Sequence, residues 1–254
     1  MRIVSLAPAI TEILFALGAG NDVVAITRFC DWPDEATKKP RLSLGQDINL
    51  DELGQYNPDF ILSSIFFPPS LEAWQGRGKH MHFDPMNLWE VFDTIKIVGE
   101  TIEKKDEAQK LVEQMNEAFD NIRQSHSSQR PTVYMEEWYD PPTAAGRWVP
   151  ELMAIAGGSA VISEINQPST TFPLVRIKVA DPDFIICHWS GWGKRQDIKQ
   201  IAERPGWEEL SAIQQNHVRF IDDALVNRPG PRLCLGASLL NNIIQEKMPA
   251  ENLR

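Results

Sequence analysis

Apolar positions fall along this chain in two kinds of block. Short unbroken runs at residues 3–6, 23–26, 60–63, 132–136, 184–187 and 218–221 read as strands buried on both faces. Between them, apolar residues recur at helical spacing. Ile10, Ile13, Leu14 and Leu17 make one stripe, ended by Gly18 and Gly20. Leu88, Val91, Phe92, Ile95 and Val98 mark a helix over 88–103. Leu111, Val112, Met115, Phe119 and Ile122 mark a second, with Asp106 as its expected cap. Shorter helices are expected at 50–55, 149–156 (stopped by Gly157-Gly158) and 198–202, and a last one at 234–245. The polar run 124–129 is the most disorder-like stretch, and 222–232 reads as a loop.

One unit occurs twice. Asn57-Pro58-Asp59-Phe60-Ile61-Leu62 and Asp181-Pro182-Asp183-Phe184-Ile185-Ile186 lie 124 residues apart. Each is a helix-stopping Asx-Pro-Asp turn feeding an apolar strand. The chain therefore reads as two similar α/β lobes: 1–104, a linker helix over 105–130, and 131–254. The expected fold is two Rossmann-like lobes joined by one long helix, with a ligand cleft between them. A helical rather than Gly/Ser-rich joint resists large hinge motion.

Composition narrows the function. The 254 residues are 43% hydrophobic and 24% charged, as in an ordinary globular protein. A net charge of −10, with no basic run, argues against a nucleic-acid partner. No run approaches the roughly 20 apolar residues of a membrane helix. Met1-Arg2 leads straight into the first strand, with no basic n-region or cleavage site. A native start at Met1 predicts a cytoplasmic protein. A removed leader with an added Met predicts a periplasmic or lipid-anchored one. Cys30, Cys187 and Cys234 are odd in number and widely spaced, so they read as free thiols.

No catalytic motif is present: no phosphate loop, no Gly-x-Ser-x-Gly elbow, no His-Glu-x-x-His. His80 and His82 could ligate a metal but lack partners nearby in sequence, and a solvated strand edge is the alternative. Cys187-His188 could form a nucleophilic pair only with an orienting acid that the sequence does not place. The aromatics say more. Of eight Trp, five sit where strands end: Trp32, Trp138, Trp148, Trp189 and Trp192, with Phe29 and Phe172 in similar loops. Trp89 and Trp207 read as core. Indoles on strand-exit loops suit a large, flat, partly apolar ligand, with Asn227 and Arg228 as polar anchors at its rim.

Four stretches carry a family resemblance: Arg2-Ile3-Val4-Ser5-Leu6-Ala7-Pro8-Ala9-Ile10-Thr11-Glu12, Cys30-Asp31-Trp32-Pro33, Asn49-Leu50-Asp51-Glu52 with Asn57-Pro58-Asp59, and Arg204-Pro205-Gly206-Trp207 with Asn227-Arg228-Pro229-Gly230-Pro231-Arg232. Together the chain resembles the class III substrate-binding proteins of ABC importers, in the vitamin B12-binding (BtuF-like) branch. The resemblance implies a corrinoid ligand, cobalamin or cobinamide, no catalytic cofactor, no enzymatic activity, and a monomer that meets an ABC permease. It puts Phe29 at the first lobe's ligand contact and Ala224, Leu225, Val226, Asn227 and Arg228 at the second lobe's, with Trp138 and Phe172 as looser matches. His188 and Cys30 are the loop residues that could reach the ligand's metal. Asp51, with Glu52, takes the place of the permease-docking acid. The matching stretch of the second lobe, 169–180, contains no acid and carries Arg176 and Lys178.

Two alternatives share this fold. One is a haem or iron-siderophore binder, with Arg28, Arg147 and Arg228 on the loops. The other is a cytosolic tetrapyrrole-handling enzyme or carrier, which needs a proton-transfer group; Glu136, Glu137 and His188 are its candidates.

Overall fold

The computed structural model of the chain describes residues 1–43, 47–125, 130–193 and 197–245. It separates into two compact units. The first comprises Met1–Pro85 and Glu90–Gln114, the second Met86–Trp89 and Met115–Arg254. The sequence expectation of a linker over 105–130 meets a helix over Lys105–Ser125, and the boundary between units falls inside it. Residues 126–129 of the polar run lie outside the described residues.

The first unit alternates strands and helices: β1 (Ile3–Ser5), α1 (Pro8–Ala16), β2 (Val23–Thr27), β3 (Arg41–Leu42), α2 (Leu50–Gln55), β4 (Phe60–Ser64), β5 (Lys79–Phe83), then α3 (Leu88–Thr101) and the start of α4 (Lys105–Ser125). Its sheet is parallel throughout, in the order β3-β2-β1-β4-β5. The apolar runs form its centre: Ile3, Val4, Ala25, Ile26, Ile61 and Leu62 are all buried. Pro8 opens α1, where its missing N–H costs nothing. Asn49 caps α2, its side chain accepting from the backbone N–H of Asp51 at 2.9 Å and Glu52 at 3.1 Å. Asp106 lies in the first turn of α4 rather than capping it, where its charge still suits the helix dipole.

The second unit follows with β6 (Thr132–Trp138), β7 (Thr143–Ala144), α5 (Val149–Ala156), β8 (Ser159–Ala160), β9 (Thr170–Thr171), α6 (Leu174–Ala180), β10 (Phe184–Cys187), α7 (Ile198–Ala202), α8 (Ser211–Gln214), β11 (Val218–Phe220) and α9 (Leu233–Ile244). Strands β11, β10, β6 and β8 pair in parallel, while β7 and β9 add antiparallel pairing beyond β6. Gly157, at φ 99°, closes α5 in the left-handed conformation that glycine adopts without strain. No described helix is long and apolar enough to cross a membrane.

The two Asx-Pro-Asp turns do the same work in their own units. Asn57 and Asp181 adopt left-handed φ values of 43° and 34°. Asp59 then accepts the Arg2 N–H at 2.9 Å, immediately before β1. Asp183 accepts the Thr132 N–H at 2.7 Å and the Thr132 hydroxyl at 2.8 Å, at the start of β6. Each aspartate thus fastens the head of the strand beside the one its own turn launches.

Candidate functional site

In each unit the winding of the parallel sheet reverses beside its first strand. In the first unit the reversal lies between β1 and β4, in the second between β6 and β10. Such reversals leave room for ligands beyond the carboxyl ends of the strands. Among the described residues the exit loops hold every exposed aromatic except Trp89, which lies on α3.

In the first unit these are Phe29 and Trp32 after β2 and Phe66 after β4, joined by the aliphatic Ile65, all between 40% and 48% exposed. The Arg28 guanidinium stacks over the Phe29 ring at 4.8 Å. Ile65 and Phe66 went unrecognised in the sequence, although the run Ile65-Phe66-Phe67-Pro68-Pro69 hints at them. Ile65 sits at φ 64°. A β-branched residue in that region is strained by roughly 1–3 kcal/mol, which structures retain mostly at functional positions. Its N–H donates to Phe83 O at 2.9 Å, tying the strained turn to the end of β5. Cys30 is buried, its sulfur 3.4 Å from the Thr27 hydroxyl, and is withdrawn from any ligand metal.

In the second unit Trp138, at the end of β6, is 43% exposed, with its indole N–H donating to Asp140 O at 2.9 Å. Trp189 corrects the expectation of a ligand platform: it is fully buried. Its indole N–H donates to Glu136 at 2.9 Å, and its ring meets Tyr139, Trp192 and Phe220 edge-on. Ala224 and Val226 are buried as well, so their side chains fill the core. Leu225, Asn227 and Arg228 are partly exposed on the same loop. Trp148 is buried at the head of α5, its N–H on Val226 O at 2.8 Å. Trp207 is core as expected, whereas Trp89 is 66% exposed.

Beneath these loops lies a buried polar network. Glu136 receives Arg204 through two contacts, 2.6 and 3.0 Å, the Tyr134 hydroxyl at 3.0 Å and the Trp189 indole. Arg204 also donates to Tyr139 O at 2.9 Å and lies between the rings of Tyr139 and Trp207, at 4.5 and 4.3 Å. Burial pushes the Glu136 carboxyl up, and Arg204, Trp189 and Tyr134 pull the other way. Four donors saturate this carboxylate, which leaves it no capacity for proton transfer to a substrate. A pocket of about 350 Å³ opens beside the network, with Tyr139, Phe172, Trp207 and Arg204 in its wall. Phe172 itself is half core, edge-on to Tyr134 at 5.3 Å.

Asn227 is held by its own unit. Its amide donates to His188 O at 3.0 Å and Ser190 Oγ at 2.8 Å, so its oxygen faces His188 Nδ1 at 2.6 Å. That orientation makes Nδ1 the protonated nitrogen of the neutral ring. Nε2 is buried and has no hydrogen-bond partner. Burial lowers the His188 pKa, and it pushes the neighbouring Cys187 thiol well up. A raised thiol pKa removes the thiolate that a Cys-His nucleophile needs. Glu137 accepts from the Ser169 hydroxyl, which itself accepts the Gly146 N–H at 3.1 Å.

Asp51 is exposed in the first turn of α2, while Glu52 accepts the Ser43 N–H at 3.2 Å. Arg176 and Lys178 are exposed on α6, beside the exposed Leu174, Val175 and Val179; Lys178 lies 3.9 Å from Glu209. Among the described residues no three His, Cys, Asp or Glu side chains gather to hold a metal.

Known proteins share this fold. The sequence profile described as "Periplasmic binding protein" matches residues 3–225. A vitamin B12-binding protein of Vibrio cholerae is 26% identical over 238 residues, covering 91% of this chain and 84% of that one. Among solved structures, the periplasmic heme-binding protein BhuT in complex with two hemes superposes with a TM-score of 0.83 at 20% identity, over 96% of this chain and 98% of that one. The periplasmic vitamin B12 binding protein BtuF of Vibrio cholerae superposes with a TM-score of 0.76 at 23% identity, over 96% of each chain. At such identities the likeness is one of fold.

Proposed function

The chain belongs to the periplasmic binding protein family, whose members bind solutes and are not enzymes, and on that premise we propose that its solute is a tetrapyrrole, a corrinoid before a haem, carried for an ABC importer. The observation behind this reading is the pair of exit-loop surfaces. Each unit ends its parallel strands in half-exposed aromatics: Phe29, Trp32 and Phe66 in one, Trp138 in the other. Flat apolar faces of that size suit a macrocycle. Phe172, Trp192, Leu225, Asn227 and Arg228 supply the remaining contacts. The B12-binding relative supports the corrinoid. Haem is the second reading, supported by a heme-binding neighbour of closely similar fold. On the importer side, Asp51 is the docking acid of the first unit.

Titration with cyanocobalamin, cobinamide and haem, followed by tryptophan fluorescence, tests the proposal. Strong quenching by a corrinoid, weakened in Trp32→Ala and Trp138→Ala, is the expected result. Quenching by haem alone moves the function to the second reading, and no quenching by any of the three at micromolar levels ends both. Charge reversal in Asp51→Lys should abolish pull-down by the cognate permease.

A further inference from the structure

We propose that His80 and His82 chelate a divalent d-block cation at the edge of the first unit's sheet, with the Ser63 hydroxyl as the oxygen between them. Strand β5 is the last in its sheet, so one side of it is open. Alternation places residues 80 and 82 on the same face of that strand. Pairing with β4 sets Ser63 opposite His82 and Ile61 opposite His80. The result is convergence. His80 Nε2 and His82 Nδ1 each lie 2.9 Å from the one Ser63 oxygen. The sequence set these two imidazoles one residue apart without a partner, and the fold supplies it from the neighbouring strand.

Ser63 is fully buried, which fixes the hydroxyl, while both imidazoles are partly exposed and open to a hydrated ion. Phe67 packs against both rings, with centroids at 5.3 and 5.2 Å, and limits their rotation. The Asp84 carboxylate acts electrostatically on His82, adding negative charge where a cation would sit. With a roughly tetrahedral angle at the oxygen, the two nitrogens stand about 4.7 Å apart. A cation with bonds of about 2.1 Å spans about 4.2 Å between trans nitrogens and about 3.4 Å at a tetrahedral angle, so the rings must close by about 0.5 to 1.3 Å. One imidazole must move its proton to its outward nitrogen, and the two hydrogen bonds to Ser63 then give way to two metal–nitrogen bonds. Paired imidazoles suit Cu²⁺, Ni²⁺ and Zn²⁺, not Mg²⁺, and water completes the coordination. None of the ligating groups is one of the exposed exit-loop aromatics, although Phe67, which packs on both rings, follows Phe66 in the loop after β4.

The test is calorimetric titration of the full chain, free of any affinity tag, with ZnCl₂, NiCl₂, CuCl₂ and MgCl₂. One saturable site for at least one d-block ion, and none for Mg²⁺, is expected. His80→Gln and His82→Gln should each weaken it by about tenfold or more, whereas His217→Gln should not. The chain has five histidines, so imidazole NMR reads the same site in the unmutated protein. Ni²⁺ should broaden the His80 and His82 resonances first. No saturable d-block binding, or binding that survives both substitutions, overturns the proposal.

Discussion

Both units fasten a central strand with the aspartate of an Asx-Pro-Asp turn, yet the strands those turns launch end in opposite ways. Beyond β4, Ile65 and Phe66 project outward from a strained, left-handed turn. Beyond β10, Trp189 folds inward onto a buried carboxylate. The polarity beneath each loop accounts for the contrast. An indole carries one N–H that must find an acceptor when buried, and Glu136 provides it. Phe66 and Ile65 have no such handle. An aromatic at a strand end is therefore outward or inward according to what the neighbouring strand offers underneath.

The largest test of this contrast removes the buried acceptor. Glu136→Ala strands Arg204 without its carboxylate, and the second unit should lose about 3–5 kcal/mol, read by urea unfolding. Replacing both partners, Glu136→Leu with Arg204→Met, should recover most of that loss. If the single change costs under about 1 kcal/mol, the network does not hold Trp189 in place.

A second test asks whether the matched turns are matched in energy. Asp59→Ala and Asp183→Ala should each lower the urea midpoint by a similar amount, since each removes the charged acceptor of a strand-head N–H. A loss confined to one of them would break the parallel between the units. A smaller effect of opposite sign is expected at the strained turn. Ile65→Gly should stabilise the first unit by up to about 1 kcal/mol while weakening ligand quenching. Destabilisation instead would show that the Ile65 side chain, not its backbone, decides the turn.

The smallest effect is a pH slope. His188 has a lowered pKa in the fold because it is buried. Below the ordinary imidazole value of 6.5 the unfolded chain takes up a proton that the folded chain resists. Stability should therefore fall as pH drops from 6.5 and stay level above it. His188→Gln, which keeps a donor toward Asn227, should lessen that slope in urea unfolding at stepped pH, with His80 and His82, also lowered by burial, supplying the remainder.

Much of the architecture was legible because it is written locally. The strands launched at Phe60 and Phe184, the helices Leu50–Gln55 and Val149–Ala156, and the outward Phe29, Trp32 and Trp138 follow from runs, caps and turns within a few residues. The family drawn from the sequence agrees with the profile match. What escaped depends on distant partners. Trp189 is buried through Glu136, 53 residues earlier, and Trp148 through Val226, 78 residues later. The helix Leu174–Ala180 went unpredicted because Val175, Ile177 and Val179 are β-branched and favour strands. Nothing in the sequence pattern marks Ile65 as left-handed; a local bond from Phe66 N–H to Ser64 O and the distant tie to Phe83 O both hold it there.

The strand-fastening aspartates also bear on the protein's birth. A ribosome releases Arg2 long before Asp59, and Thr132 long before Asp183, with separations of 57 and 51 residues. At about 5–20 residues per second, each strand head waits roughly 3–11 seconds for its clasp. The first unit waits longer still, because it also needs Glu90–Gln114. Until those segments emerge, the nascent apolar strands have no sheet to join, and keeping them from pairing with other chains falls to whatever escorts the polypeptide.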